Sequence, residues 1–132
     1  MHENEISKEI VDAAFKIHTT LGPGLLESVY QVTMGYELEK RGLSVVHKLP
    51  IHIVYDGIHF DKGFEADLVV ENKVIVELKS VADLAPVYKK QLLAHLRLSG
   101  MRLGLLINFN VVLIKDGIVR IVNNLNEANL NL

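Results

Sequence analysis

The chain has 132 residues, a formal charge of −2, 49% hydrophobic residues and no cysteine. That length can bury one sizeable core, the charge is not that of a broadly basic nucleic-acid binder, and disulfides, zinc–thiolate sites and thiol catalysis are excluded. The apolar runs LGLLI and VVLI fall far short of the ~20 residues that cross a bilayer, and MHENEISKEI does not read as a signal peptide, so no membrane association and a cytoplasmic home are expected.

Ile6, Ile10, Ala13, Ala14, Ile17 and Leu21 recur at helical spacing and predict a helix over 5–21, with Asn4 or Ser7 as its cap. Gly22-Pro23-Gly24 ends it. A second helix is predicted over 25–41, with Leu26, Val29, Tyr30, Thr33 and Leu38 near one face and Gly42 as its stop. From Leu43 the period changes. LSVVHKLPIHIVYDG predicts a strand, a break at Pro50, a second strand and a turn at Asp56-Gly57. Short strands flank a further turn in GIHFDKG, and residues 63–81, GFEADLVVENKVIVELKSV, form the next strand pair. A third helix is predicted over 83–99, with Pro86 in its first turn and Gly100 past its end. RLGLLIN predicts a buried strand and VVLIKDGIVRIVN a hairpin around Asp116-Gly117. The Asn-rich tail, 124–132, is expected to be loosely held. The order is α-α-β-β-β-β-α-β-β-β, an α/β chain forming one domain over 1–132.

The stretch 63–81 is apolar and β-branched, yet holds Asp67, Glu77 and Lys79. Read as two antiparallel strands, it sets Phe64, Ala66, Leu68 and Val70 on one face and Glu65, Asp67 and Val69 on the other. Across from them stand Val74, Val76 and Leu78, and then Ile75, Glu77 and Lys79. Only an odd loop places apolar against apolar, most simply Glu71-Asn72-Lys73. Val70 then pairs with Val74, Leu68 with Val76 and Ala66 with Leu78. On the opposite face Val69 meets Ile75, Asp67 meets Glu77 and Glu65 meets Lys79. A two-residue loop would put the carboxylates on opposite faces. Opposed like charges destabilise a strand pair, and burial adds a desolvation cost, so the pattern predicts a cation between them. Oxygen ligands of this kind suit Mg²⁺ or Mn²⁺, and Lys79 would steady developing negative charge. The bland alternative is a solvated face, with Glu65 paired to Lys79 and Asp67 in water.

At these residues the sequence resembles the PD-(D/E)xK nuclease superfamily, matched by Asp67 and Glu77-Leu78-Lys79. The segment GLLESVY, 24–30, resembles the signature of its small GxxExxY branch through Gly24, Glu27 and Tyr30, and Gln91 lies in the helix after ExK, where several branches place a glutamine. The resemblance spans about 7–123. It implies a restriction-endonuclease-like core, a mixed central sheet flanked by helices, and metal-dependent hydrolysis of phosphodiesters in nucleic acid. It implies Glu27, Asp67 and Glu77 as ligands of Mg²⁺ or Mn²⁺, Lys79 as an aid to the attacking hydroxide, and Gln91 as a positioning group. Ala66 departs from the family's proline, and His95 stands where some branches have tyrosine after Gln-x-x-x.

Each residue also has a plainer reading. Glu27 would complement a helix dipole, Tyr30 would fill core, and Gln91 would be a surface amide. His95 is expected to be a half-buried, hydrogen-bonded histidine rather than a ligand. Lys89, Lys90 and Arg97, with Arg102, are either a solvated basic face or contacts for phosphates. Two rival functions stand beside the nuclease: a non-catalytic module that keeps the fold to bind nucleic acid or protein, and a purely structural partner. The apolar composition makes a homodimer plausible.

Overall fold

A computed structural model describes residues 1–126. The first helix, α1, spans Glu3–Leu21 and buries the predicted stripe from Ile6 to Ile17. Its cap is neither Asn4 nor Ser7. His2 Nδ1 accepts the Asn4 N–H at 2.9 Å, and the Glu5 carboxylate accepts the His2 N–H at 3.0 Å, a reciprocal arrangement that satisfies first-turn donors. The second helix, α2, spans Glu27–Lys40. Lys16 donates to Glu37 at 2.8 Å and Arg41 to Asp12 at 2.6 Å, which ties α2 to α1.

The strands are β1 Val45–Tyr55, β2 Ile58–Val70, β3 Val74–Lys79, β4 Leu103–Asn108 and β5 Ile118–Val122. They form one five-stranded sheet in the order β1-β2-β3-β4-β5. β3 and β4 run parallel and the other neighbours antiparallel. The helix α3, Pro86–Ser99, supplies the crossover that a parallel pair requires. On one face α1 and α2 pack Ile10, Tyr30, Met34 and Leu38 against Leu68, Val76, Leu78 and Leu105. On the other, Leu92 and Leu96 of α3 pack against Val69, Ile75 and Leu106. Gly104 lets α3 approach, since a Cβ there would lie 2.8 Å from the Leu92 side chain. The expected class, a mixed sheet flanked by helices, is the one observed.

The order of elements departs from expectation: α-α-β-β-β-α-β-β, with a 3-10 turn before the last strand. Pro50 does not break β1, where it stands opposite Glu65. β1 is at one end of the sheet, and an edge strand can hold a residue that lacks an N–H. The turn expected in GIHFDKG is a bulge inside β2, because pairing passes from Ile51↔Phe64 to Ile53↔Phe60. Nor is VVLI a strand. Buried Asn108 accepts the N–H groups of Val81 (3.1 Å) and Asn110 (3.2 Å) and donates to the Val81 carbonyl at 2.9 Å. This turns the chain out of the sheet, His18 Nε2 donates to the Val111 carbonyl at 2.9 Å, and the 3-10 turn Ile114–Gly117 leads into β5. The tail expected to be loose is docked at its start, where Leu125 packs on the core and His2 Nε2 donates to the Asn126 carbonyl at 3.3 Å. Residues 127–132 of it lie outside the described residues.

The loop Glu71-Asn72-Lys73 and the pairs Val70↔Val74 and Leu68↔Val76 are as predicted. The pairing of Ala66 with Leu78 is not. The β2–β3 ladder ends at Leu68↔Val76, and the two ends of β2 face opposite sides of the sheet. Leu68 and Val70 join the α1–α2 core, whereas Phe64 and Ala66 pack on the α3 side. β1 does the same, with Val45 on the first side and Leu49 and Ile51 on the second. The ribbon of β1 and β2 therefore rolls over between these points. Lys48, which the register sets opposite Asp67, takes up the roll with φ 50°. Asp67 sits at the pivot.

Candidate active site

Where β2 leaves β3, side chains replace the ladder. Asp67 Oδ2 accepts the Leu78 N–H at 2.9 Å, doing the work of a backbone carbonyl. Gln31, from α2, donates to the Asp67 carbonyl at 3.0 Å, so the second carbonyl lost to pairing is also satisfied. β3 stays paired with β4 as far as Lys79↔Asn108. Glu77 and Lys79 thus ride on a strand held from one side, with the Asp67 carboxylate wedged against the other.

Glu77 faces α3 with its side chain 14% exposed, and its Oε1 is buried without a hydrogen-bond partner. Its pKa is raised: burial is the main cause, the His95 ring opposes it, and the Asp67 carboxylate adds to it. The folded protein therefore holds the Glu77 proton more tightly than the unfolded chain does. The resulting stability is present below the ordinary value of 4.5 and is lost as pH climbs through the raised one. With chelator present, Glu77→Gln is expected to be more stable than the wild type at about pH 8, and the gap should close towards about pH 4, below the ordinary carboxylate value. Urea unfolding at both pH values checks this; a gap that does not change with pH would remove burial of the ionised form as the cause.

Lys79 does not pair with Glu65. Glu65 turns to solvent and takes Lys62 at 2.9 Å, because the roll at Asp67 moves it off the site. The Lys79 Nζ lies 4.5 Å from the centre of the Tyr88 ring. Gln91 is exposed and, with Glu77, Lys79, Tyr88 and His95, lines a small cavity under α3. His95 is half-buried as expected and stacks on Phe64 at 3.8 Å, but its Nδ1 has no hydrogen-bond partner.

Glu27 is the first residue of α2 and is exposed. Gln31 follows it by one turn on the same helix face, and Ser80 Oγ donates to the Leu25 carbonyl at 2.7 Å. These two tethers bring the start of α2 to Asp67 on β2 and to the end of β3. Tyr30 is fully buried, stacked on Phe109 at 4.2 Å. It also does more than fill core: its hydroxyl donates to the Gly22 carbonyl at 2.7 Å and accepts the Leu25 N–H at 3.2 Å. That grips the loop in which Gly24 has φ 91°, a conformation that favours glycine. Lys89, Lys90 and Arg97 are exposed on α3, and none is in an ion pair among the described residues.

The fold thus brings Glu77, Lys79 and Gln91 to one cavity and sets Asp67 beside Glu77. Among the described residues no three His, Asp or Glu side chains are close enough to cage a cation; the acid pair is the converged part. Sequence reasoning missed Gln31, Phe64 and Tyr88. Only Gln31 left a signal, a polar side chain four residues after Glu27. A family model described as the PD-(D/E)XK nuclease superfamily matches residues 4–121, and the restriction-endonuclease-like class agrees with the sheet and helices described above. No curated protein and no solved structure gives a significant match to this chain.

Proposed function

The chain belongs to the PD-(D/E)XK nuclease superfamily, and from that premise we propose a metal-dependent nuclease of the GxxExxY branch that hydrolyses phosphodiester bonds in nucleic acid. The carrying observation is Glu77: a half-buried carboxylate beside Asp67 whose buried Oε1 has no partner, two residues before a lysine. Adjacent, desolvated carboxylates fit a divalent cation, and oxygen donors select Mg²⁺ or Mn²⁺. Asp67 and Glu77 would hold it, with Glu27 joining from the first turn of α2. When bound, the cation neutralises charge and polarises the phosphoryl group.

The chain's own residues do the rest. The Leu78 N–H and Gln31 fix Asp67 from both ends of the residue. Lys79 supplies positive charge for the attacking and phosphoryl oxygens, and Gln91 orients the substrate. Lys89, Lys90 and Arg97 meet phosphates, a contact that carries no sequence information. The grip of Tyr30 on the loop at Gly24 supports the branch assignment, since it gives two signature positions a shared task in presenting the third, Glu27. We take the protein to be cytoplasmic; among the described residues no helix is long and apolar enough to cross a membrane. The exposed side chains of Val54, Tyr55, Ile58 and Phe60 leave the ribbon of β1 and β2 suited to self-association.

Two observations favour a binding module instead: Glu27 is exposed, and among the described residues no three-ligand group is assembled. Incubation with Mn²⁺ and labelled single- and double-stranded DNA and RNA separates the two. Cleavage abolished by chelator is the expected result. Tight, metal-independent retention of a polynucleotide with no cleavage would replace the nuclease by the module.

A further inference from the structure

Two side-chain atoms among the described residues are buried without a hydrogen-bond partner, Oε1 of Glu77 and Nδ1 of His95. They face each other at 3.9 Å, beyond hydrogen-bond length. Each is costly to leave unsatisfied, and the ring is held where it is. Phe64 stacks on it with the planes 8° apart, and Leu92 and Leu96 seat α3 on the sheet. Beside the pair is a cavity of about 20 Å³ whose lining includes Glu77, Lys79, Gln91 and His95. One water needs ~10–15 Å³ of such volume and two to four polar partners, so the cavity fits a single water.

We propose that His95 is a positioning residue: its Nδ1–H, through one buried water in this cavity, holds Oε1 of Glu77 and leaves the second carboxylate oxygen to the Asp67 side. This rests on the nuclease reading for its purpose but not for its geometry. A carboxylate held at one oxygen cannot rotate away from a cation, which is how outer partners sharpen metal affinity.

Two variants separate this role from packing. His95→Phe keeps a flat ring against Phe64 and loses the donor. His95→Asn keeps an N–H near the Nδ1 position and loses the stack. Stability should rank Phe above Asn. Mn²⁺ affinity by calorimetry should rank them in reverse, with the Phe variant about tenfold weaker than the wild type or more and the Asn variant nearer to it. Imidazole ¹⁵N spectra of the metal-free wild type should show a proton on His95 Nδ1 at about pH 8, above the ordinary imidazole range. Affinity that follows stability, or an Nδ1 without a proton, would overturn the role of His95 and leave the nuclease untouched. A wild type that binds neither Mn²⁺ nor Mg²⁺ yet carries that proton would support the contact and overturn the metal reading.

Discussion

Lys79→Met is expected to lower polynucleotide cleavage by about 10²-fold or more, the scale of losing one preorganised group at developing charge, while Mn²⁺ affinity is retained. The methionine keeps most of the apolar stem and removes the ammonium. That ammonium sits over the Tyr88 ring at 4.5 Å, a contact worth about 0.5–1 kcal/mol at a partly exposed position, so the fold should survive. A surface pair with Glu65 cannot account for a loss of activity, because Glu65 is engaged with Lys62. Asp67 and Glu77 stay in place, and affinity for a cation could rise once a nearby positive charge is gone. Calorimetry with Mn²⁺ and cleavage of a labelled polynucleotide, run on the same preparation, give the two readouts. Cleavage at the wild-type rate would take Lys79 out of the mechanism.

What could be read before folding is what depends on neighbours in the chain. The stripe from Ile6 to Ile17 and the parity of the loop 71–73 are local patterns, and both are found. Parity also brought Glu77 and Lys79 to one face, since it needs only the period of two. It failed four residues upstream of the loop. The roll of β1 and β2 at Lys48 and Asp67 answers to two helix layers packed on opposite sides of the sheet, and no period in the sequence registers it. Pro50 stays within β1 because β1 is an edge strand, a tertiary fact that no local pattern carries. VVLI has the composition of a strand, but the amide of Asn108 spends its hydrogen bonds on turning the chain out of the sheet. The support of Asp67 by Gln31 spans 36 positions, and the facing of His95 and Glu77 is a meeting of helix and sheet. These are the parts of the site that tertiary packing decides.

Asp67→Ala and Asp67→Asn are expected to part company. Asp67 closes the gap between β2 and β3 by accepting the Leu78 N–H. Alanine leaves that donor buried and unpaired, a cost of about 1–3 kcal/mol. Asparagine keeps a carbonyl oxygen for the same N–H and removes the charge beside Glu77, whose pKa Asp67 helps to raise. In chelator the Asn variant should therefore match or exceed the wild type in stability, and the Ala variant should fall below both. Manganese then tests the other half of the residue's work. A ligand that binds only the folded state adds RT ln(1 + [L]/Kd), about 2.7 kcal/mol at a hundredfold excess over Kd. Millimolar Mn²⁺ should raise the melting temperature of the wild type and barely move either variant. The order in chelator reports the hydrogen bond, and the response to Mn²⁺ reports the charge. If Asn is as damaging as Ala in chelator and Mn²⁺ shifts all three proteins alike, the carboxylate serves the strand junction alone and the cation site does not include it.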